Sequence, residues 1–132
     1  MRPARHLPLY VGLGAIFWLA AALFIRFAGD RLFHLGNPWL SVLFAASVPV
    51  GWLFIVVCLR VGGLGQREAL APVAIMCATG LLLDGVAISS FPSLYGASSE
   101  QVMLGAAWLL WGVGALLALA LAMQLGRSGS RA

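Results

Sequence analysis

The sequence predicts an all-α fold, a membrane-embedded four-helix bundle, and three observations carry that prediction. The chain is 62% hydrophobic and only 9% charged, whereas soluble domains run at about 45–50% apolar and about 25% charged. Its charged residues, eight basic and four acidic, gather at the ends of apolar runs instead of alternating through them. Those runs are continuous and approach or exceed the roughly 20 residues a spanning helix needs, while barrel strands would alternate over about ten. Lipid offers no partner for a bare backbone, so helices are the form such runs take.

The first span is expected over about 7–28. MRPARH followed by an apolar stretch has the outline of a signal peptide, but about 19 uncharged residues precede Arg26. A secretory apolar region covers only about 7–15, so the reading is an uncleaved span. GDRLFHLGN, residues 29–37, forms a polar connection ending in Asn-Pro, where Asn37 caps and Pro38 takes the first turn of the second span, about 38–61. That span carries Pro49 in its middle, which removes one backbone donor and predicts a kink.

GGLGQRE, residues 62–68, is glycine-rich but lacks the spacing and the preceding strand of a phosphate loop. The third span, about 69–91, is stopped by Pro92. In PSLYGASSEQ, Ser98 and Gln101 have the spacing of a capping box for the fourth span, about 99–125. GRSGSRA is a short tail.

All eight basic residues are arginine. With four spans, Arg2, Arg5, Arg60, Arg67, Arg127 and Arg131 fall on one side and Arg26 and Arg31 on the other. Both termini are therefore expected in the cytoplasm, with the chain multi-pass in the membrane. The charge is explained by topology, and no basic domain offers a surface for nucleic acid. Tyr10, Trp39 and Tyr95 fall near the expected interfaces, where amphipathic rings are favoured.

Asp84 is the one carboxylate inside a long apolar run. An aspartate in lipid costs roughly 2.5–3.5 kcal/mol on insertion scales, so it should face protein or water, be paired, or be protonated. At about 100° per residue, its face carries Val73, Cys77, Gly80, Leu81, Ala87, Ile88 and Phe91. In the first span Arg26 shares a stripe with Gly12, Ala15, Leu19 and Ala22. Small residues let helices approach closely, so Gly12, Ala15, Ala22, Gly80 and Ala87 are expected to pack. Arg26 and Asp84 are offset by roughly 7–8 Å along the membrane normal at 1.5 Å per residue. A long side chain covers most of that, and an ion pair between spans one and three is expected. Snorkelling of Arg26 to the headgroups is the alternative.

Other candidates are weaker. Ser89 and Ser90 can bond back to their own helix, and no histidine lies in a span to activate them. His6 and His34 sit on opposite sides and share no metal. Cys58 and Cys77 read as small buried hydrophobes. Trp108 and Trp111, with Gly105, Gly112 and Gly114, read as the packing face of a fourth helix. No cofactor or metal site is expected, and no catalytic constellation is present.

FWLAAALFIRFAG in the first span, LLLDGVAISSFPSLYG in the third and AAWLLWGVGALLAL in the fourth resemble the corresponding stretches of a family of small four-span bacterial membrane proteins of unknown function. The resemblance covers most of the chain, and the second span contributes nothing distinctive to it. It marks Arg26, Gly29, Asp84, Phe91, Pro92 and Tyr95 as family-like positions, implies a place in the inner membrane of a bacterial cell, and implies no activity. In size and topology the chain is also similar to small multidrug exporters, whose coupling carboxylate is a glutamate in the first span, where this chain has only Arg26. Two functions are therefore expected to compete. One is a non-enzymatic bundle, a homo-oligomer or the accessory subunit of another membrane protein, with Arg26 and Asp84 specifying assembly. The other is a small proton- or ion-coupled exporter in which Asp84 titrates and the Pro49 kink flexes.

Overall fold

In a computed structural model that describes residues 7–129, the chain forms four long helices, α1 (Leu7–Leu32), α2 (Pro38–Gly62), α3 (Leu70–Ser90) and α4 (Ser99–Gly129). Short 3-10 turns at Gln66–Glu68 and Pro92–Leu94 lie in the second and third connections. All four helices are long and apolar enough to cross a membrane. Even the shortest, α3 with 21 residues, spans about 32 Å at 1.5 Å per residue, matching a hydrocarbon core of about 30 Å. The chain is an all-helical, multi-pass membrane protein. Arg2, Arg5, His6 and Arg131, and the side chain of Arg127, lie outside the described residues, and with them half of the eight arginine side chains behind the expected orientation.

Local chemistry explains the ends. Asn37 accepts a hydrogen bond from the Trp39 amide at 3.1 Å, with Pro38 in the first turn of α2, satisfying a donor the helix itself leaves orphaned. α2 continues through Pro49 and closes at Gly63, whose φ of +70° is the left-handed cap that glycine adopts without strain. The first amide of α3, Leu70, donates to the Gln124 side-chain oxygen of α4 at 3.1 Å. α1 runs past Gly29, expected to open the first connection, to Leu32. Gly29 is there for close packing: a Cβ on it would stand 2.6 Å from the Gln101 amide nitrogen.

α1 packs chiefly on α3 and α2 chiefly on α4, while α3 also meets α4 and α1 touches α2 little. Trp108 and Trp111 of α4 hold α2 with indole N–H donors, to the Ser47 hydroxyl and the Phe44 carbonyl, each at 2.8 Å. Two apolar clusters fill the bundle. One surrounds Tyr10, Ile55, Cys58, Val73 and Cys77 toward the 62–68 connection. The other surrounds Ala22, Ile25, Phe33, Ala87 and Tyr95 toward the opposite end. Cys58 and Cys77 are both buried free thiols.

The buried face of α1 differs from the stripe expected for it. Tyr10, Gly14, Ala21, Ala22, Ile25 and Gly29 are buried, a line rotated about 100°, one residue, from Gly12, Ala15, Leu19, Ala22 and Arg26. Ala22 is common to both lines and is fully buried, and Ala15 is half-buried. Gly12 is exposed with nothing near its Cβ position, whereas a Cβ on Gly14 would meet the Met76 carbonyl oxygen at 2.8 Å. Gly14, not Gly12, is the glycine at which α1 closely approaches α3. On α3, Ala87 is buried and Gly80 half-buried with open space at its Cβ position. Tyr10 and Tyr95, expected at the interfaces, are instead buried to 1% and 0% exposure, while Trp39 is 65% exposed.

Candidate functional site

The site is built around Asp84, which α3 presents to the bundle interior on the face that also buries Val73, Cys77 and Ala87. Pro92 ends that helix, and the Pro92–Leu94 turn folds the chain back so that Tyr95 enters the bundle. Its hydroxyl donates to Asp84 Oδ1 at 2.5 Å and accepts from Trp18 Nε1 of α1 at 3.0 Å. Proton donation thus runs from indole to phenol to carboxylate. A buried acid that needs partners receives one here without any cation.

A second relay fixes Tyr95 from its backbone. Gln101, 5% exposed, donates through its side-chain amide to the Tyr95 carbonyl at 3.0 Å and to the Ile25 carbonyl of α1 at 2.9 Å. Its backbone amide donates to the Ser98 hydroxyl at 3.1 Å, the helix-capping half of the expected box. The other half is not made, because the side chain turns to these carbonyls instead of back to the Ser98 amide. Gly96 leaves room for that amide: its φ of +152° is a conformation side chains rarely adopt, and a Cβ there would run into Gln101. α1, α3, the connection after α3 and α4 are therefore joined by five polar side chains: Trp18, Asp84, Tyr95, Ser98 and Gln101. Burial, and then the bond to Asp84, hold the Tyr95 phenol above its ordinary range, with the Trp18 bond pulling the other way.

The expected pair between Arg26 and Asp84 is not formed; no ion pair joins them among the described residues. Arg26 is exposed, with its guanidinium carbon 5.9 Å from the centre of the Phe27 ring. The reason is rotational. Ile25 takes the buried position with no exposed surface, and the next residue points about 100° away. Neutral donors satisfy Asp84 without stripping water from a guanidinium, whose desolvation would offset much of the attraction. Ser89 bonds to the Gly85 and Val86 carbonyls of its own helix, and Gly105 packs against Ile25 while Gly112 and Gly114 have open space at their Cβ positions.

Asp84 also lines a cavity of about 30 Å³ at the bundle centre, with Phe17, Trp18, Phe54, Met76 and Gly80. That is room for a water molecule. Among the described residues Asp84 is the only charged one that lines it. Among the described residues no three His, Cys, Asp or Glu side chains come together. The chemistry available at the site is hydrogen bonding and proton exchange at Asp84.

Comparison with known proteins gives no further guide: no family model matches the chain, and no similar curated protein or solved structure was found. The functional reading rests on the geometry.

Three members of the site have no role there that the sequence assigns. Trp18 lies within an apolar run, the amphipathic ring of Tyr95 suits an interface, and Gln101 has the spacing of a helix cap. The placement of Tyr95, eleven residues beyond Asp84 and just past a helix-ending proline, is the one available signal.

Proposed function

We propose that the chain is a non-enzymatic multi-pass membrane subunit whose Asp84 network sets the register of its helices, so that it presents one fixed outer surface for assembly. The assembly is with further copies of itself or with another membrane protein. The observation that carries this is the neutral satisfaction of Asp84: Trp18 to Tyr95 to Asp84, with Gln101 tying the Tyr95 and Ile25 carbonyls. Four separate parts of the chain meet in that network, and fully satisfied buried networks rigidify and specify a core. The resemblance to small four-span bacterial proteins and the arginine distribution support placing it in a bacterial inner membrane with both termini cytoplasmic.

A double-mutant cycle of Asp84→Asn with Tyr95→Phe, read as thermal unfolding in detergent, tests the reading. Contacting members of one network couple by about 0.5–3 kcal/mol. Additive effects of the two substitutions would remove the network as a structural element.

A second reading is a small proton- or ion-coupled exporter, favoured by one observation: among the described residues Asp84 is the only charged one on the central cavity. It expects Asp84→Asn to abolish pH-driven flux in proteoliposomes while the bundle stays folded. Equal flux in both proteins would end it.

A further inference from the structure

A groove of about 460 Å³ runs along the outside of α1 and α3, lined by Trp18, Arg26, Leu83, Val86, Phe91 and Ser93 among others. Its polarity is graded. Arg26 and Ser93 lie toward the end of the bundle that carries the first and third connections, while Trp18 and Leu83 lie deeper. On each helix the step from deep to shallow is eight residues, Trp18 to Arg26 and Leu83 to Phe91, or about 12 Å at 1.5 Å per residue. The groove is therefore charged and hydroxyl-bearing at its shallow end and apolar for about 12 Å into the hydrocarbon, the outline of a lipid molecule.

Among the described residues Arg26 is the only charged one in the groove, and it makes no ion pair with any of them. It sits six residues before the last residue of α1, about 9 Å below the helix end, where a guanidinium without a counter-ion is costly. A phosphate answers that need through paired N–H donors, and the Ser93 hydroxyl supplies another donor. No carboxylate among the described residues lines the groove to receive the ammonium of a zwitterionic headgroup. We propose that this groove is a binding site for an anionic phospholipid, its phosphate on Arg26 and Ser93 and one acyl chain along Phe91, Val86, Leu83 and Trp18. The site is independent of the role given to Asp84.

The test uses the full chain purified in a neutral detergent, with unfolding temperature measured after adding phosphatidylglycerol, phosphatidylcholine or soluble glycerol 3-phosphate. Phosphatidylglycerol is expected to raise the midpoint by several degrees and to remain as one bound lipid in native mass spectrometry, with little response to the other two. Arg26→Gln should abolish the shift and Arg26→Lys should keep part of it. Val86→Trp fills the apolar part at an exposed position, leaves Arg26 in place, and should also abolish the shift. Equal shifts with phosphatidylcholine, an equal shift with glycerol 3-phosphate, or a full phosphatidylglycerol shift in Arg26→Gln or Val86→Trp would each overturn the proposal.

Discussion

An aspartate in a membrane bundle has three ways to be tolerated: a cation, a proton, or neutral donors built around it. Here Tyr95 and Trp18 supply the third. Removing the Tyr95 hydroxyl takes from the acid its 2.5 Å donor, and losing a buried partner costs about 1–3 kcal/mol; Tyr95→Phe should lower the unfolding midpoint, and Trp18→Phe should lower it less because the longer 3.0 Å indole bond goes to the Tyr95 hydroxyl. The raised Tyr95 pKa has a pH signature. The unfolded phenol titrates near 10.0 while the folded one holds its proton longer, so its stabilisation is complete below pH 10 and is lost as pH climbs above it. Wild type should lose stability above pH 10 more steeply than Tyr95→Phe, and parallel alkaline curves would contradict that assignment. At the α1–α3 contact, Gly14→Leu would drive carbon into the Met76 backbone and should cost about 1–3 kcal/mol or more. Gly12→Leu, placed in open space, should leave the unfolding midpoint within a degree or two.

Among the helices, α2 depends on α4 for its place. It touches α1 little, and its polar anchors are the two indole bonds from Trp108 and Trp111. Such interhelical bonds average about 0.6 kcal/mol in membranes and reach about 1.7. Trp108→Phe with Trp111→Phe should therefore speed hydrogen exchange in α2 selectively, leaving α1 and α3 protected. Uniform acceleration across all four helices would mean that α2 is not separately anchored. The stretch after α3 has the opposite character. Pro92 stops the helix, Gly96 takes a backbone conformation few side chains allow, and Ser98 starts α4, so a connection of eight residues, 91–98, delivers Tyr95 and aims Gln101.

For the whole molecule, four membrane-capable helices put the 33–37 and 91–98 connections on one face and the 63–69 connection on the other. Cysteines introduced at Ala97 and at Gly65, both exposed, should label from opposite sides of a sealed vesicle. Native Cys58 and Cys77, both buried, should stay unlabelled until the protein is denatured. Labelling of both introduced cysteines from one side would contradict the four-span topology.

Much of this architecture was legible in the sequence because its causes are local or compositional. Apolar runs of spanning length, the Asn37-Pro38 start, the Pro92 stop and the Ser98 cap each act within a few residues, and lipid forces such runs into helices whatever they pack against. The interior position of Asp84 was legible for the same reason, since hydrocarbon penalises an acid wherever the partner comes from. The partner was not legible. A rotation of about 100° about the axis of α1 separates an inward Arg26 from an inward Ile25, and apolar residues surround that helix, so composition does not select between them. Tertiary packing decides it: Gly14 must meet Met76 and Gly29 must meet Gln101. Once those backbones touch, Arg26 is turned out to the lipid and Tyr95 is left to hold the acid.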